Sequence, residues 1–229
     1  MNARVLEIFR SLQGEGKYVG VDQVFVRLFE CNMHCVWCDT PHSIGDTTRR
    51  YKEYSEEELL RTIQELSAGC HSVSLTGGEP LLQADFLTQF IPLLHDVDLP
   101  VYLETNGTLA EALQKIIEHV DTIAMDIKLP SSTQCQAYWK EHEAFIKIGK
   151  EKDLFIKTVI SSTTAQADIE KMVKLIIKSA PETTVYLQPN YFEMKNGVIN
   201  KCQEFQKYCT LHLDDVRVLP QVHKFMKLR

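Results

Sequence analysis

Residues 55–80 read SEEELLRTIQELSAGCHSVSLTGGEP and contain one full unit of the pattern that decides the fold. Ser55 and Glu58 form a capping box, which begins a helix, and apolar residues recur behind them at helical spacing. Gly69 ends that helix, and residues 71–75 follow as a short apolar strand. The chain therefore passes from a helix to a buried strand and then to a glycine turn.

This alternation continues along the whole sequence. Further strands are predicted at 5–9, 24–29, 101–104, 122–127, 154–159, 185–187 and 216–219, and further helices at 86–94, 109–119, 135–147, 169–177 and 202–208. Strands that alternate with helices pair in parallel through right-handed crossovers. The sheet is then either open and doubly wound or a full or partial barrel, and in both cases functional loops follow the carboxyl ends of the strands.

Length and composition narrow the class of protein. The chain has 229 residues, with 44% hydrophobic and 24% charged residues, which is ordinary for one globular domain spanning 1–229. Its net charge of −6 argues against a nucleic-acid-binding protein. No apolar run approaches the ~20 residues of a membrane span, and the first ten residues lack a secretory signal. We therefore expect a cytoplasmic protein with reduced cysteines.

Three of the seven cysteines lie close together, after the strand at 24–29, in the loop Cys31-Asn32-Met33-His34-Cys35-Val36-Trp37-Cys38-Asp39. Three thiolates can hold three corners of a cubane iron–sulfur cluster and leave the fourth iron without a protein ligand. Two alternatives remain open at this point. A zinc ion could be held by these cysteines with His34 or His42, and an electron-transfer cluster could take Cys70 as a fourth ligand.

The spacing Cys-x3-Cys-x2-Cys resembles the signature of the radical S-adenosylmethionine superfamily. Trp37 before the last cysteine and the turn Thr76-Gly77-Gly78-Glu79-Pro80 fit the same superfamily. Its members chelate the unique iron with S-adenosylmethionine and use an electron from the [4Fe–4S] cluster to make a 5′-deoxyadenosyl radical. The resemblance implies an α/β fold, an incomplete (β/α) barrel with mostly parallel strands.

A narrower resemblance is to the 7-carboxy-7-deazaguanine synthase family. It rests on Phe9-Arg10-Ser11-Leu12-Gln13-Gly14-Glu15-Gly16, on Arg27 four residues before the first cysteine, on Cys38-Asp39-Thr40 and on Pro220-Gln221-Val222-His223-Lys224. The resemblance implies a lyase that converts 6-carboxy-5,6,7,8-tetrahydropterin to 7-carboxy-7-deazaguanine with loss of ammonia, in queuosine biosynthesis. It also implies Mg²⁺, a flavodoxin-like electron donor and a homodimer.

The resemblance further implies a role for individual residues. Cys31, Cys35 and Cys38 would hold the cluster, and Thr40 the Mg²⁺. S-adenosylmethionine would contact Trp37, Cys38, Asp39, Gly78, Asp126, Lys128 and Gln188. The pterin would contact Leu12, Gln13, Gly14, Glu15, Arg27, Thr76 and His223. Arg27 suits the substrate carboxylate because a guanidinium binds a carboxylate through two parallel hydrogen bonds.

Two other functions predict different features. A glycyl-radical enzyme activase acts on a protein, and we would expect an open groove without an arginine dedicated to a small carboxylate. A non-enzymatic iron–sulfur or zinc protein would not bind S-adenosylmethionine. One departure from the compact members of the family is the longer segment 129–152, which predicts an additional helix.

Overall fold

The computed structural model describes residues 1–45 and 51–228, and one mixed sheet runs through this part of the chain. Its strands are β1 (Ala3–Leu12), β2 (Asp22–Leu28), β3 (Lys52–Tyr54), β4 (Ser72–Gly77), β5 (Val101–Thr105), β6 (Thr122–Asp126), β7 (Asp153–Ile160), β8 (Val185–Pro189) and β9 (Val216–Val218). The described strands follow the order β3-β1-β2-β4-β5-β6-β7-β8-β9, so β3 and β9 are open edges. All neighbours from β2 to β9 are parallel, and β1 is antiparallel to β2 and β3. The prediction of an incomplete, mostly parallel barrel is confirmed.

The helices of seven or more residues pack side by side in chain order. The α-helices are α1 (Glu56–Leu66), α2 (Ala84–His95), α3 (Ala110–Ile116), α4 (Pro130–Thr133), α5 (Trp139–Gly149), α6 (Gln166–Ser179), α7 (Val198–Cys209) and α8 (Val222–Met226). The capping box of α1 forms as predicted, because Ser55 Oγ accepts from Glu58 N and Glu58 Oε2 accepts from Ser55 N. Helix α2 continues through Pro92, which counted against the later part of that prediction.

The helix predicted over 135–147 is wrong at its start. Helix α4 ends earlier, where Gln134 takes a left-handed conformation (φ 59°) and donates its N–H to Pro130 O. That conformation stops a helix, and α5 begins only at Trp139. Strand β3 and helix α8 were not predicted, since three to five residues are too few to show a hydrophobic period.

The inside of the partial barrel is built in two layers. A small buried cluster takes one residue from each of β5, β6, β7 and β8: Tyr102, Ala124, Phe155 and Tyr186. Three of the four are aromatic, so we call it the aromatic cluster. Side chains alternate along a strand, so the residues two positions further on face the same interior. Those residues are Glu104, Asp126, Lys157 and Gln188. The aromatic cluster is therefore the floor of a polar layer at the carboxyl ends of the strands.

The loop between β1 and β2 completes this floor. Gly16 has a positive φ of 65°, and a Cβ atom there would lie 2.2 Å from the Phe155 ring, so only glycine fits. Within residues 1–45 and 51–228, no helix has the length and apolar character that crossing a membrane requires.

Candidate active site

A cavity of about 390 Å³ opens above the polar layer, at the carboxyl ends of the parallel strands. Every residue that the sequence predicted for metal, cofactor or substrate lines it: Leu12, Gln13, Gly14, Glu15, Arg27, Cys31, Cys35, Trp37, Cys38, Asp39, Thr40, Thr76, Gly78, Asp126, Lys128, Gln188 and His223. This volume is in the range of small-molecule sites. The structure thus brings all of these residues together around one space.

The cysteine loop forms one wall of the cavity. Cys31, Cys35 and Cys38 are free and half-buried. Burial raises the pKa of Cys31 to about 11 and of Cys35 to about 12, and it also raises the pKa of Cys38. Thiolates are the form that binds metal, so a positively charged centre must offset the effect of burial, and loading would release protons. These residues fit an iron–sulfur cluster.

The alternative ligands fit less well. Cys70 precedes β4, at the opposite end of the sheet, where its Sγ contacts Leu66 O at 3.7 Å. His34 is exposed, whereas His42 lines the cavity. Among the residues described, no three His, Cys, Asp or Glu side chains are grouped around one ion position.

Segment 129–133 anchors the far side of the cysteine loop. Val36 N donates to Thr133 O at 3.1 Å, and Trp37 Nε1 donates to Ser132 O at 2.8 Å. Both acceptors belong to α4, which is part of the longer segment noted in the sequence. The longer segment 129–152 therefore supports the cysteine loop through α4.

The glycine turn after β4 lies against the backbone that leads into the cysteine loop. A Cβ on Gly77 would lie 2.2 Å from Leu28 O, and one on Gly78 would lie 2.2 Å from Glu30 O. Gly77 also has a positive φ of 139°. Both positions therefore require glycine, and the backbone of this turn faces the cavity unshielded by side chains.

Glu79, which follows the turn, is fully buried and points away from the cavity into the protein. Its carboxylate accepts from Asn106 N at 2.8 Å, Thr105 Oγ1 at 2.9 Å and Leu81 N at 3.1 Å. Burial raises the pKa of Glu79 to about 7, although these hydrogen bonds lower it. Glu79 therefore joins the glycine turn to the turn that follows β5.

A closed ring of hydrogen bonds joins the turn after β5 to the cysteine loop. Asn32 Nδ2 donates to Thr108 Oγ1 (2.8 Å), Thr108 Oγ1 donates to Asn106 Oδ1 (2.6 Å), and Asn106 Nδ2 donates to Asn32 Oδ1 (2.8 Å). Asn32 directly follows the first cysteine. His142 on α5 supports the ring from below, since its Nε2 lies 3.1 Å from Asn106 O.

The ion pair Asp126–Lys128 follows β6 beside the cysteine loop. Lys128 Nζ lies 2.7 Å from Asp126 Oδ2 and 4.8 Å from the centre of the Trp37 ring. Burial lowers the pKa of Lys128, but Asp126 and Cys35 raise it above its ordinary value, so the ammonium is retained. Asp126 Oδ1 is buried and has no hydrogen-bond partner among the described residues, although Asp126 lines the cavity. A buried carboxylate oxygen without a partner is ready to accept from a ligand hydroxyl or amine.

Arg27 lies on β2 and also lines the cavity. Its Nε donates to Glu7 Oε1 at 2.7 Å, and its guanidinium lies 5.8 Å from the Phe9 ring. These contacts hold the group in place, and no bond from its two terminal nitrogens is among the hydrogen bonds found in the described residues. The edge of a held guanidinium suits a planar carboxylate.

The loop 13–15 also lines the cavity. Gln13 Nε2 donates to Glu104 Oε1 (2.9 Å), and Gln13 Oε1 accepts from Glu15 N (3.0 Å). Glu15 pairs with Lys157, a buried cation on β7. Burial raises the pKa of Glu15, but Lys157 and a hydrogen bond from Gln221 lower it below its ordinary value. The loop therefore presents an amide and a carboxylate in fixed positions.

The comparison with known proteins decides the family. The family model of the radical SAM superfamily matches residues 27–160, more than half of the chain. A 7-carboxy-7-deazaguanine synthase of Geobacter sulfurreducens is 36% identical over 98% of this chain and 97% of its own length. The chain belongs to the 7-carboxy-7-deazaguanine synthase family. It is thus a radical S-adenosylmethionine enzyme, and this superfamily implies a [4Fe–4S] cluster and S-adenosylmethionine.

Further members of the family agree with this assignment. A 7-carboxy-7-deazaguanine synthase of Archaeoglobus fulgidus is 32% identical over the full length of both chains. The solved structure of QueE from Escherichia coli matches this fold with a TM-score of 0.67 and 21% identity, covering 97% of this chain and 95% of that one. The open, mostly parallel barrel is thus the fold shared with this structure.

The sequence did not point to several residues that shape the site. Lys157 interrupts the apolar strand 154–159, and a lysine in a buried strand is an informative exception. Gln221 was quoted in the C-terminal motif without a role, and Glu79 was known only as part of the glycine turn. His142 carried no signal, because its partner Asn106 is distant in the sequence.

Proposed function

We propose that the enzyme converts 6-carboxy-5,6,7,8-tetrahydropterin to 7-carboxy-7-deazaguanine with loss of ammonia, in queuosine and deazapurine biosynthesis. The observation that carries this proposal is that two sets of groups line one cavity. Three cysteines, a bare glycine turn and the Asp126–Lys128 pair suit the cluster with S-adenosylmethionine. Arg27, which lines the same cavity, suits a small carboxylate.

The bound cluster and S-adenosylmethionine would supply the 5′-deoxyadenosyl radical that abstracts a hydrogen atom from the substrate. Cys31, Cys35 and Cys38 hold the cluster. S-adenosylmethionine is bound by seven residues around the cluster: Trp37, Cys38, Asp39, Gly78, Asp126, Lys128 and Gln188. Within this set Lys128 supplies the charge for the methionine carboxylate, and Asp126 Oδ1 supplies an acceptor for a ribose hydroxyl. The aromatic floor excludes water from below, which protects a radical from unwanted hydrogen donors.

A second group of cavity residues contacts the pterin: Leu12, Gln13, Gly14, Glu15, Arg27, Thr76 and His223. Arg27 binds its carboxylate, and Gln13 and Glu15 accept from the donor-rich edge of the ring. Thr76 Oγ1 is held by Glu104 Oε2 at 3.2 Å. His223 packs over Gly14, where a Cβ atom would lie 2.1 Å from its Nδ1. Without a side chain at Gly14, the imidazole can lie close to the backbone of loop 13–15.

We further propose that Thr40 provides a ligand for Mg²⁺. Thr40 Oγ1 lies 3.0 Å from Asp39 Oδ1 beside the cavity. Mg²⁺ takes few protein ligands and completes its octahedron with substrate and water, so a single hydroxyl beside the substrate carboxylate is sufficient. We also propose that residues 1–229 form one domain, that the enzyme is a homodimer and that a flavodoxin-like protein supplies its electrons. We propose the cytoplasm as its compartment, because the cysteines are free and cysteines stay reduced there.

An anaerobic assay tests this function. The cluster is reconstituted and reduced, and S-adenosylmethionine and 6-carboxytetrahydropterin are added with Mg²⁺. We expect 5′-deoxyadenosine and 7-carboxy-7-deazaguanine. Exchanging any one of Cys31, Cys35 and Cys38 for Ala should abolish both products, whereas Cys135→Ser, in the neighbouring loop, should leave them unchanged. The absence of the deazaguanine would refute the proposal, and 5′-deoxyadenosine alone would leave a radical enzyme with another substrate, such as an activase.

A further inference from the structure

Gln221, which precedes α8, lies between two carboxylates from different loops. It is only 8% exposed. Its single Nε2 group donates to Glu15 Oε1 at 2.7 Å and to Asp39 Oδ2 at 3.1 Å. Glu15 belongs to the loop between β1 and β2, and Asp39 directly follows Cys38 in the cysteine loop. One amide therefore joins the substrate loop to the cysteine loop.

The charges around Gln221 alternate in sign. Lys157 pairs with Glu15 on one side, and Lys224 Nζ lies 3.3 Å from Asp39 Oδ2 on the other. The two carboxylates repel each other, since the charge of Asp39 acts to raise the pKa of Glu15. A side-chain amide supplies two N–H donors without adding charge. It can therefore hold two anions together where a carboxylate would repel both.

The backbone beside Gln221 strengthens the same connection. Val222 N donates to Gly14 O at 2.9 Å, so the C-terminal segment is bonded directly to the substrate loop. This backbone bond reaches only the substrate loop, and the side chain of Gln221 adds a bond to Asp39 in the cysteine loop.

We infer that Gln221 is a positioning residue, which sets the distance between the pterin held by loop 13–15 and the radical source held by loop 31–39. The inference rests on the proposed function, because it concerns the relative placement of the two reactants. Hydrogen abstraction needs reacting atoms in close contact, and a misplacement of about 1 Å can cost ~100-fold in rate. The residue acts through its bonds to Glu15 and Asp39.

Two variants of different chemistry test this role. Gln221→Met keeps the volume and removes both donors, and Gln221→Glu adds a third carboxylate. For Gln221→Met we expect iron and sulfide content equal to wild type, a KM for the pterin raised ~10-fold or more, and more 5′-deoxyadenosine formed per deazaguanine. Gln221→Glu should be more impaired than Gln221→Met, because it replaces attraction by repulsion. Gln203→Glu makes the same exchange at an exposed position of α7 and should behave as wild type.

The outcomes separate this inference from the proposed function. An unchanged KM and product ratio in Gln221→Met would overturn it, as would a loss of activity that only follows a loss of bound iron. If the wild-type enzyme makes no deazaguanine, the proposed function fails and hydrogen–deuterium exchange of the cluster-loaded protein decides the inference. Gln221→Met should then exchange faster than wild type in both loops, and equal exchange would overturn the positioning role.

Discussion

Asn106 donates its side-chain amide to Oδ1 of Asn32 over 2.8 Å, which bonds the turn after β5 directly to the residue that follows the first cysteine. The backbone N–H of the same Asn106 donates to Glu79, behind the glycine turn. One asparagine therefore holds the cysteine loop and the glycine turn in a fixed relation.

The first prediction concerns this asparagine. Asn106→Ala removes its side-chain bonds to Asn32 and Thr108, so Asn32 Oδ1 and the N–H of Thr108 lose this partner, at a cost of about 1–3 kcal/mol for each group left unsatisfied. We expect a lower melting temperature and less iron bound per chain after anaerobic reconstitution. Asn200→Ala, at an exposed position of α7, is the matched control and should load fully. Full loading and normal melting of Asn106→Ala would contradict the prediction.

The second prediction concerns Arg27. Arg27→Lys keeps the positive charge and the ion pair with Glu7 but removes the planar group that forms two parallel bonds. One charged hydrogen bond is worth about 1.5–3 kcal/mol, so the KM for the carboxylated pterin should rise ~10- to 100-fold. Arg10→Lys is the control, because Arg10 pairs with Asp22 on the same hairpin away from the cavity. Steady-state kinetics measure both, and an equal effect of the two exchanges would refute the role of Arg27.

The third prediction concerns pH and His142, which is fully buried and whose Nδ1 has no hydrogen-bond partner within residues 1–45 and 51–228. Burial lowers the pKa of His142 to about 4, although the hydrogen bond to Asn106 opposes this. The unfolded chain binds the proton more readily, so stability falls as pH decreases from about 6.5 towards 4. At pH 5 this linkage costs about 2 kcal/mol relative to pH 7.5.

Urea unfolding at the two pH values measures this linkage. His142→Gln keeps a donor for Asn106 without a titrating ring, so its stability should depend less on pH than that of the wild type. His212→Gln, at an exposed position, should leave the pH dependence unchanged. Parallel pH dependences of wild type and His142→Gln would show that His142 does not titrate as expected.

Many of the residues that line the cavity could be predicted from the sequence, because they stand in short motifs with fixed spacing. The cysteine loop, the glycine turn and Gln13-Gly14-Glu15 are such motifs, and the strands before them set their direction. The residues that hold these motifs in place could not be predicted. Gln221 and Glu15 are 206 positions apart, and Asn32 and Asn106 are 74 apart, so only the folded chain shows that they meet.

The fold shows the same division. Long periodic segments predicted the strands and helices of the parallel sheet, whereas the break before α5 depends on one residue, Gln134, in a left-handed conformation. Glutamine has no marked preference for that conformation, and nothing local marked the break. Lys157 was the exception that a pattern could have shown, since a charge within an apolar strand needs a buried partner.

The last prediction concerns the contact between Gly14 and His223. A Cβ atom on Gly14 would lie 2.1 Å from His223 Nδ1 and 2.7 Å from its Cβ, so Gly14→Ala must displace the histidine and the start of α8. Overpacking of this kind costs about 1–3 kcal/mol, and the displaced ring should raise the KM for the pterin. Gly149→Ala, whose Cβ would meet its nearest neighbour at 3.4 Å, is the control and should have little effect.

The double variant Gly14→Ala, His223→Ala tests whether the clash itself is the cause. Removing the imidazole makes room for the new methyl group, so the melting temperature should recover most of what Gly14→Ala loses. The KM should stay high, because the double variant lacks the imidazole that we propose contacts the pterin. A double variant that melts as low as the sum of the two single losses would show that the two residues do not interact, since coupled neighbours deviate from additivity.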